Sequence, residues 1–262
     1  MKSKILPLII ALAGFIVLSA GAQDLIQYPA QTIKLQMLED GGRNGTAVVF
    51  NPEKDYYYCA MAGNADFPLE TFSERGENLY QSRTYNDMRG MWWNPKEDAL
   101  QGNCYSDGGI VEIGIDENGY AGAGNMILFS GKRQPGDHSC GTIDPKKKEI
   151  LYYDDGIVKG YSTKDGEPTD TYLVLDLPVE KGDINYTTLV FTGEKKMELG
   201  LLDHYSKKVY LFNRKDGSLA ATINLPSDAL TYEAFNFAFA NGHVFLFDQD
   251  DREWTGYKVF NE

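Results

Sequence analysis

Residues Ala47–Pro52, which read AVVFNP, form a short apolar run that stops at an Asn-Pro pair. The pattern returns at Gly90–Pro95 (GMWWNP) and at Cys140–Pro145 (CGTIDP). Two more copies, Thr188–Gly193 and Asn236–Asn241, keep the apolar run and replace the proline with another turn residue. The last residues of the five copies are 43, 50, 48 and 48 residues apart, and self-similarity at such a period indicates a repeat fold.

A second apolar strand follows every copy, as in Tyr56–Met61 and His243–Phe247. In the first four copies a third strand then leads to a polar-glycine pair: Arg75-Gly76, Asn118-Gly119, Asp165-Gly166 and Asp216-Gly217. Asn-Gly and Asp-Gly favour two-residue hairpin turns with positive φ at both positions, so a fourth strand is expected after each pair. Four antiparallel strands per repeat predict an all-β fold, a β-propeller, rather than a sandwich or a simple barrel.

The number of blades follows from the two ends of the chain. The fifth copy leaves room for only three strands, near 235–240, 243–248 and 254–260. The alternating stretch Thr32–Met37 can supply the missing outer strand, which would close the ring and cover an exposed edge. We therefore predict five blades, with six as the alternative if one blade is hidden.

Composition excludes several classes of protein. The 262 residues include 38 Asp and Glu against 25 Lys and Arg, a net charge of −13 that disfavours a nucleic-acid partner. Cys59, Cys104 and Cys140 can form at most one disulfide, and three buried free thiols are the alternative. No CxxC or Cys/His cluster indicates zinc, and GxSxG, HExxH and Gly-rich phosphate loops are absent from the sequence.

The first 22 residues read as a secretory signal. Lys2 and Lys4 precede an apolar run, Ile5–Ala20, and small residues end the segment before Gln23. The run is short for the roughly 20 residues of a membrane helix, although an uncleaved anchor is the alternative, and no lipobox cysteine follows it. We predict a signal peptide at 1–22, one propeller domain at 23–262, a secreted or periplasmic location, a monomer, and no membrane span after cleavage.

One repeat position suggests a functional site. Eight residues before the end of each copy stands an oxygen-bearing side chain: Asn44, Asp87, Asp137, Asn185 and Glu233. At the start of the innermost strands these side chains would face the central channel, where an all-oxygen set suits Ca²⁺ or another divalent cation better than zinc. The alternative is that Asn and Asp are kept because they stabilise turns.

Neighbouring residues extend this hypothesis. If a metal ion is held there, Asp137 or His138 is the candidate general base for hydrolysis. Arg89 and Tyr186 lie next to this ring of five oxygen-bearing residues in the sequence and are candidate ligand-binding residues. Trp92, followed by Trp93, is a candidate sugar-stacking residue, although alternation along the strand favours packing of such aromatics between blades.

Leu202–Phe212, followed by Asp216-Gly217, resembles the repeat of the NHL, YWTD and lactonase-like propellers: a strand ends in Asp, turns, and resumes as a basic-apolar strand before a polar-Gly hairpin. Cys104–Ile113 with Asn118-Gly119 is a second copy. The resemblance implies a propeller and activities that are chiefly protein or ligand binding, with some metal-dependent hydrolases. Gluconolactonase-type members are similar in using Glu, Asn and Asp around one divalent ion.

Two functional classes follow. The first is an exported module that binds a protein, peptide, glycan or small-molecule ligand on its loop face. The alternative is a divalent-metal-dependent lactonase or esterase at the mouth of the channel. A binding module predicts a shallow or filled channel, whereas the hydrolase predicts an ion held by at least three of the five ring residues beside a pocket.

Overall fold

The computed structural model describes residues 23–63 and 67–260. The predicted signal peptide lies outside these ranges. The described residues form 21 β-strands and one short 3₁₀ helix, Lys181–Asp183. No helix within them is long and apolar enough to cross a membrane.

Four consecutive strands form each of the first four blades, and each strand pairs with the next along the chain. Blade 1 contains β3 (Asn44–Asn51), β4 (Tyr56–Ala62), β5 (Phe67–Ser73) and β6 (Asn78–Thr84). Blade 2 contains β7 (Met88–Asn94), β8 (Ala99–Cys104), β9 (Ile110–Ile115) and β10 (Ala121–Phe129). Blade 3 contains β11 (Thr142–Asp144), β12 (Glu149–Asp154), β13 (Ile157–Ser162) and β14 (Pro168–Val174). Blade 4 contains β15 (Val190–Phe191), β16 (Leu199–Asp203), β17 (Lys208–Phe212) and β18 (Leu219–Asn224).

The fifth blade joins the two ends of the chain. It contains β19 (Phe237–Ala240), β20 (His243–Asp248), β21 (Glu253–Lys258) and the N-terminal strand β2 (Gln31–Gln36). Strand β2 pairs antiparallel with β21, with Lys34 opposite Thr255. The innermost strands β3, β7, β11, β15 and β19 contact their neighbours around the ring. The predicted five-bladed propeller, closed by an N-terminal strand, is confirmed.

One strand was not predicted. Strand β1 (Gln23–Gln27) pairs parallel with β18 and makes blade 4 five-stranded. It covers the outer edge of that blade, whose backbone N–H and C=O groups would otherwise lie unpaired.

The hairpin loops differ from the predicted two-residue type. Only the glycine of each polar-glycine pair has a positive φ, between 71° and 90°. At Gly119 the N–H donates to the Asp116 carbonyl, and the Asp116 N–H donates to the Tyr120 carbonyl, so three residues form the loop. The Asp165-Gly166 and Asp216-Gly217 loops contain four residues closed in the same manner. A turn that ends in a single left-handed residue needs glycine at that position alone.

Hydrophobic residues pack between neighbouring blades. Because successive side chains of a strand point to opposite sheet faces, each blade contributes to two clusters. Trp254 and Phe247 of blade 5 pack with Tyr57 of blade 1, whereas the next residue, Tyr58, packs between blades 1 and 2. Equivalent clusters join the other blade pairs.

Two buried carboxylates stabilise junctions between elements. Glu70 on β5 accepts hydrogen bonds from the backbone N–H groups of Leu38 (2.9 Å) and Glu39 (2.7 Å), which follow the closing strand β2. Between blades 3 and 4, Arg214 Nη2 donates to Glu149 Oε2 at 2.6 Å, and both side chains are nearly inaccessible to solvent. Each contact fixes an element of one blade against its neighbour.

The three cysteines are free and buried. Burial raises the pKa of the Cys104 thiol to about 12 and that of Cys140 to about 11. Both thiols are therefore protonated at neutral pH, and a protonated thiol is a poor nucleophile and a poor metal ligand.

Candidate functional site

All five ring residues lie on one face of the propeller. We call this the upper face, where the innermost strands begin, and the opposite face, where they end, the lower face. Asn44 is the first residue of β3, and the other four lie in the loops that lead into β7, β11, β15 and β19. The eight-residue register therefore selects one residue at or shortly before the innermost strand of each blade.

Hydrogen bonds tie these loops to other loops of the upper face. The Tyr105 N–H donates to the Asp87 carbonyl at 2.7 Å, and the Tyr186 N–H donates to the Glu233 carbonyl at 2.9 Å. The side-chain amide of Asn185 donates to the Tyr232 carbonyl at 2.9 Å, and so bridges blades 4 and 5. Part of the polar ring thus holds neighbouring blades together.

The side chains of these ring residues bind different partners rather than a common one. Asp87 binds Arg89 through both oxygens, at 2.5 and 2.9 Å, and Asp137 binds the Lys132 ammonium at 3.0 Å. Asn185 is fully buried, and its Oδ1 accepts from the backbone N–H groups of residues 187 and 188. Asn44 Oδ1 accepts from Gln249. Among the described residues no three His, Cys, Asp or Glu side chains converge as a metal site; the calcium site proposed at these five residues, two of which are asparagines, stays a prediction.

A buried arginine lies under an aromatic surface at this mouth. The guanidinium carbon of Arg89 is 4.7 Å from the ring centre of Tyr105 and 5.5 Å from that of Phe235. The exposed ring of His138 contacts both aromatic rings, with centres 5.2 and 5.8 Å apart. With Asp87, these residues form what we call the Arg89 cluster.

The Arg89 cluster combines a neutralised charge with an aromatic surface. Only 6% of the Arg89 side chain is exposed, compared with 25% of Asp87. The bidentate pair cancels the formal charges in a geometry that an arginine fork favours. Arg89 Nε is buried and has no hydrogen-bond partner within the described ranges, so one donor of this guanidinium is unsatisfied.

The channel beneath the mouth is nearly filled. A cavity of about 30 Å³ remains between the innermost strands, lined by residues that include Thr46, Met91, Cys140 and Phe237. This volume is enough for about one water molecule. The channel between the innermost strands therefore holds little free volume at this level.

Four exposed tyrosines lie in loops of the upper face, and one of them, Tyr105, belongs to the Arg89 cluster. Tyr105 and Tyr205 follow the second strands of blades 2 and 4, Tyr85 follows β6, and Tyr186 precedes β15; all these positions face upward. Their exposed fractions are 41%, 79%, 82% and 55%, respectively. Several large aromatic side chains exposed to water on one face are typical of binding surfaces.

A polar cleft adjoins the aromatic surface. Its volume is about 330 Å³, and residues of blades 1 and 5 and of the loop before β19 line it, among them Arg43, Asn44, Tyr232, Glu233 and Gln249. The cleft brings together two of the five ring residues, Asn44 and Glu233. It offers charged groups of both signs beside the uncharged aromatic rings.

The candidate ligand residues lie in different environments. Tyr186 is exposed on the upper face, whereas Arg89 is buried beneath it. Trp92 is 3% exposed and packs between blades 2 and 3, so its indole face offers almost no surface for stacking on a sugar. Sequence reasoning missed Tyr105, Tyr205 and Phe235; the recurrence of tyrosine after the second strand of two blades was the available signal.

The fold is similar to that of solved propellers. Myxococcus xanthus glutaminyl cyclase matches with a TM-score of 0.58 and 11% identity over 89% of this chain and 97% of its own. The Cps50 (Swd1) β-propeller domain of Myceliophteria thermophila matches with a TM-score of 0.45 and 10% identity, over 85% of each chain. A candidate 6-phosphogluconolactonase from Bacteroides uniformis matches with a TM-score of 0.41 and 14% identity, over 86% of this chain and 74% of its own.

Neither a protein-family model nor the sequence of a curated protein matches the chain. At 11% identity the likeness to the glutaminyl cyclase is one of fold, and a fold alone does not define a function. The class defined here is therefore the five-bladed β-propeller.

Proposed function

We propose that the protein is an exported binding module whose upper face binds a protein, peptide or glycan. The exposed tyrosines of the upper face are the observation that carries this proposal. The proposal includes removal of residues 1–22 and a secreted or periplasmic location, in keeping with the charged start and apolar run of that segment.

The upper face has the chemistry of a recognition surface. Tyrosine offers a large apolar ring and a hydroxyl, and loses little conformational entropy when it is immobilised. Arg89 fixes the Tyr105 and Phe235 rings from below, so part of this surface is ordered before a ligand arrives. The filled channel favours a ligand that lies across the face over one that enters the axis.

The hydrolase alternative has less support. It requires three ring residues around one ion, but Asp87 is paired with Arg89, Asp137 with Lys132, and the Asn185 amide oxygen with the backbone. Asp137 and His138 remain the candidate bases of that alternative, and the likeness to NHL, YWTD and lactonase-like repeats is compatible with either function.

Binding selection with matched variants tests the proposal. A phage-displayed random peptide library and an oligosaccharide panel are screened against the wild type. Selected ligands are then titrated against Tyr186→Ala/Tyr205→Ala and the control Tyr80→Ala/Tyr172→Ala, whose tyrosines are exposed within the outer strands β6 and β14. We expect about a tenfold or greater loss of affinity in the first variant and less than about twofold in the control.

Three results would count against the binding module. Ligands that bind both variants equally would place recognition elsewhere, and failure of both screens would leave the upper face without a ligand of either class. A stoichiometric calcium ion that is lost in Asp137→Ala would instead favour the metal-dependent hydrolase.

A further inference from the structure

A cavity opens on the lower face between blades 2 and 3. Its volume is about 770 Å³, within the roughly 300–1,000 Å³ typical of small-molecule sites. Strands and hairpin loops of both blades line it, from the β7–β8 loop with Lys96 to the β13–β14 loop with Lys164. No residue named for the upper face lines it, so this cavity is a separate site.

One side-chain difference between the repeats leaves this space open. Tyr58 on β4 and Gln101 on β8 hold the same repeat position, because each lies seven residues after the asparagine of its Asn-Pro pair and bonds to that asparagine. Tyr58 is fully buried between blades 1 and 2, and its hydroxyl donates to the Gly119 carbonyl of blade 2 at 2.9 Å. Gln101 has no ring, and its amide donates to Glu112 of its own blade at 3.3 Å. The crevice that tyrosine fills between blades 1 and 2 is therefore a cavity between blades 2 and 3.

The rim of the cavity is basic. Four lysines line it against three glutamates, although the chain as a whole has a net charge of −13. Two of the glutamates are paired: Lys96 binds Glu97. Arg214 binds Glu149. Three exposed lysines of the rim form no salt bridge within the described ranges: Lys147, Lys148 and Lys164. Because the protein does not neutralise these ammonium groups, the rim favours an anionic ligand.

The interior combines a hydrogen-bond acceptor with an apolar wall. Glu112 is half-buried, and none of the described cations forms a salt bridge with it. An ionised carboxylate can only accept hydrogen bonds, so it calls for a ligand that brings donors such as hydroxyl groups. Leu128, Phe129 and Ile143 line the same cavity. Such side chains can cover the apolar C–H face of a sugar ring.

Hydrogen bonds hold the walls in place. The Thr163 N–H donates to the Lys148 carbonyl at 3.1 Å and so joins the two hairpins of blade 3 that carry the rim lysines. Arg133, in the loop after β10, donates to the Ser130 carbonyl at 3.0 Å and to Glu167 of the β13–β14 loop. The backbone of the site is therefore ordered before a ligand arrives, which lowers the entropic cost of binding.

We propose that this cavity binds an acidic sugar, a hydroxylated ring that carries a carboxylate, sulfate or phosphate group. The anionic group lies among Lys147, Lys148 and Lys164 at the rim, and ring hydroxyls donate to Glu112 inside. All three anions use the same charge recognition. The site is independent of the function proposed for the upper face, and either proposal can fail without the other.

Four monosaccharides that differ only at carbon 6 test this assignment: glucose, glucuronate, glucose 6-sulfate and glucose 6-phosphate. Titrations followed by ligand-observed NMR at low ionic strength should show that at least one anionic sugar binds about five times more tightly than glucose, or better. Added salt should reduce this preference, because exposed charges are screened. The anionic sugar that binds most tightly identifies the substituent.

Two pairs of lysines at matched repeat positions provide the variant and its control. Lys147 and Lys195 each lie two residues after the end of their copy, and Lys164 and Lys215 each precede an Asp-Gly pair. Only the first lysine of each pair lines the cavity. Lys147→Gln/Lys164→Gln should weaken the anionic sugar about threefold to tenfold and change glucose less than about twofold. Lys195→Gln/Lys215→Gln should bind both as the wild type does.

Gln101→Tyr tests the cavity itself, because it introduces the side chain that fills the crevice between blades 1 and 2. It should weaken the anionic sugar at least about fivefold. If this variant does not fold, the lysine variants still decide the question. Equal affinity for glucose and all three anionic sugars, or no binding of any sugar up to its solubility limit, would overturn the proposal. An unchanged preference in Lys147→Gln/Lys164→Gln, or its loss in Tyr186→Ala/Tyr205→Ala, would do so as well.

Discussion

Replacement of Arg89 by methionine should show how much the Arg89–Asp87 ion pair of the upper face contributes to the free energy of unfolding. Methionine keeps an apolar stem of similar reach and removes the guanidinium. Loss of one partner from a fully buried pair costs about 3–5 kcal/mol. Because a quarter of Asp87 is exposed, water compensates part of its charge, and we expect about 1–2 kcal/mol from the pair itself.

The aromatic contacts of the guanidinium add to this loss. Each contact, with Tyr105 and with Phe235, is worth about 0.5–1 kcal/mol when it is partly desolvated. The free energy of unfolding should therefore fall by about 2–4 kcal/mol in Arg89→Met, a large share of the 5–15 kcal/mol typical of a folded domain.

Urea unfolding of a double-mutant cycle measures the pair separately from the aromatic contacts. Arg89→Met, Asp87→Ala and the double variant should give a coupling energy of about 1–2 kcal/mol. The exposed pair of Lys96 and Glu97 serves as the control, and its coupling should be within about 0.5 kcal/mol of zero. A coupling between Arg89 and Asp87 no larger than that of the control pair would refute the reasoning.

Three further changes test other parts of the fold. Arg214→Met leaves two buried carboxylates without their cation and should lower the free energy of unfolding by about 3–5 kcal/mol in urea titrations; a loss below about 1 kcal/mol would contradict this. Burial raises the pKa of the Glu70 carboxyl in the folded protein above its value in the unfolded chain. The free energy of unfolding of the wild type should therefore fall relative to that of Glu70→Gln as the pH rises from the unfolded-state pKa through the folded-state pKa. A difference in free energy between the two proteins that does not change with pH would exclude this. Gly217→Ala should lower the thermal midpoint because φ is +75° and a Cβ would lie 2.1 Å from a carbonyl of β14, whereas Gly182→Ala, in open space, should not; equal midpoints would argue against the strain.

The sequence predicted those features of the propeller that depend on local pattern. Apolar runs that stop at Asn-Pro, as in Ala47–Pro52, carry strand and turn information within a few residues. Strand β1 has no such signal, because Gln23–Gln27 is largely polar and its partner strand lies almost 200 residues away. Pairing of this kind depends on the assembled ring and on an edge that exists only in the folded protein.

The same limit applies to the candidate site. The eight-residue register identified equivalent loops on the upper face, including that of Asp87, but not which way their side chains point. Tyr105 and Phe235 are brought to Arg89 from different blades, and the direction of each ring depends on packing between them. Sequence spacing therefore located the mouth of the channel, whereas the calcium site predicted there remains a prediction that the donor contacts do not favour.

The pairing of β2 with β21 joins the two most distant parts of the described chain. Lys34 and its partner Thr255 are separated by most of the sequence. Loop-closure entropy grows with the length of chain between two partners, and such non-local contacts slow folding. Among the described strand pairs, the one that makes the ring continuous therefore carries the largest loop-closure entropy, and it makes blade 5 depend on both halves of the sequence at once.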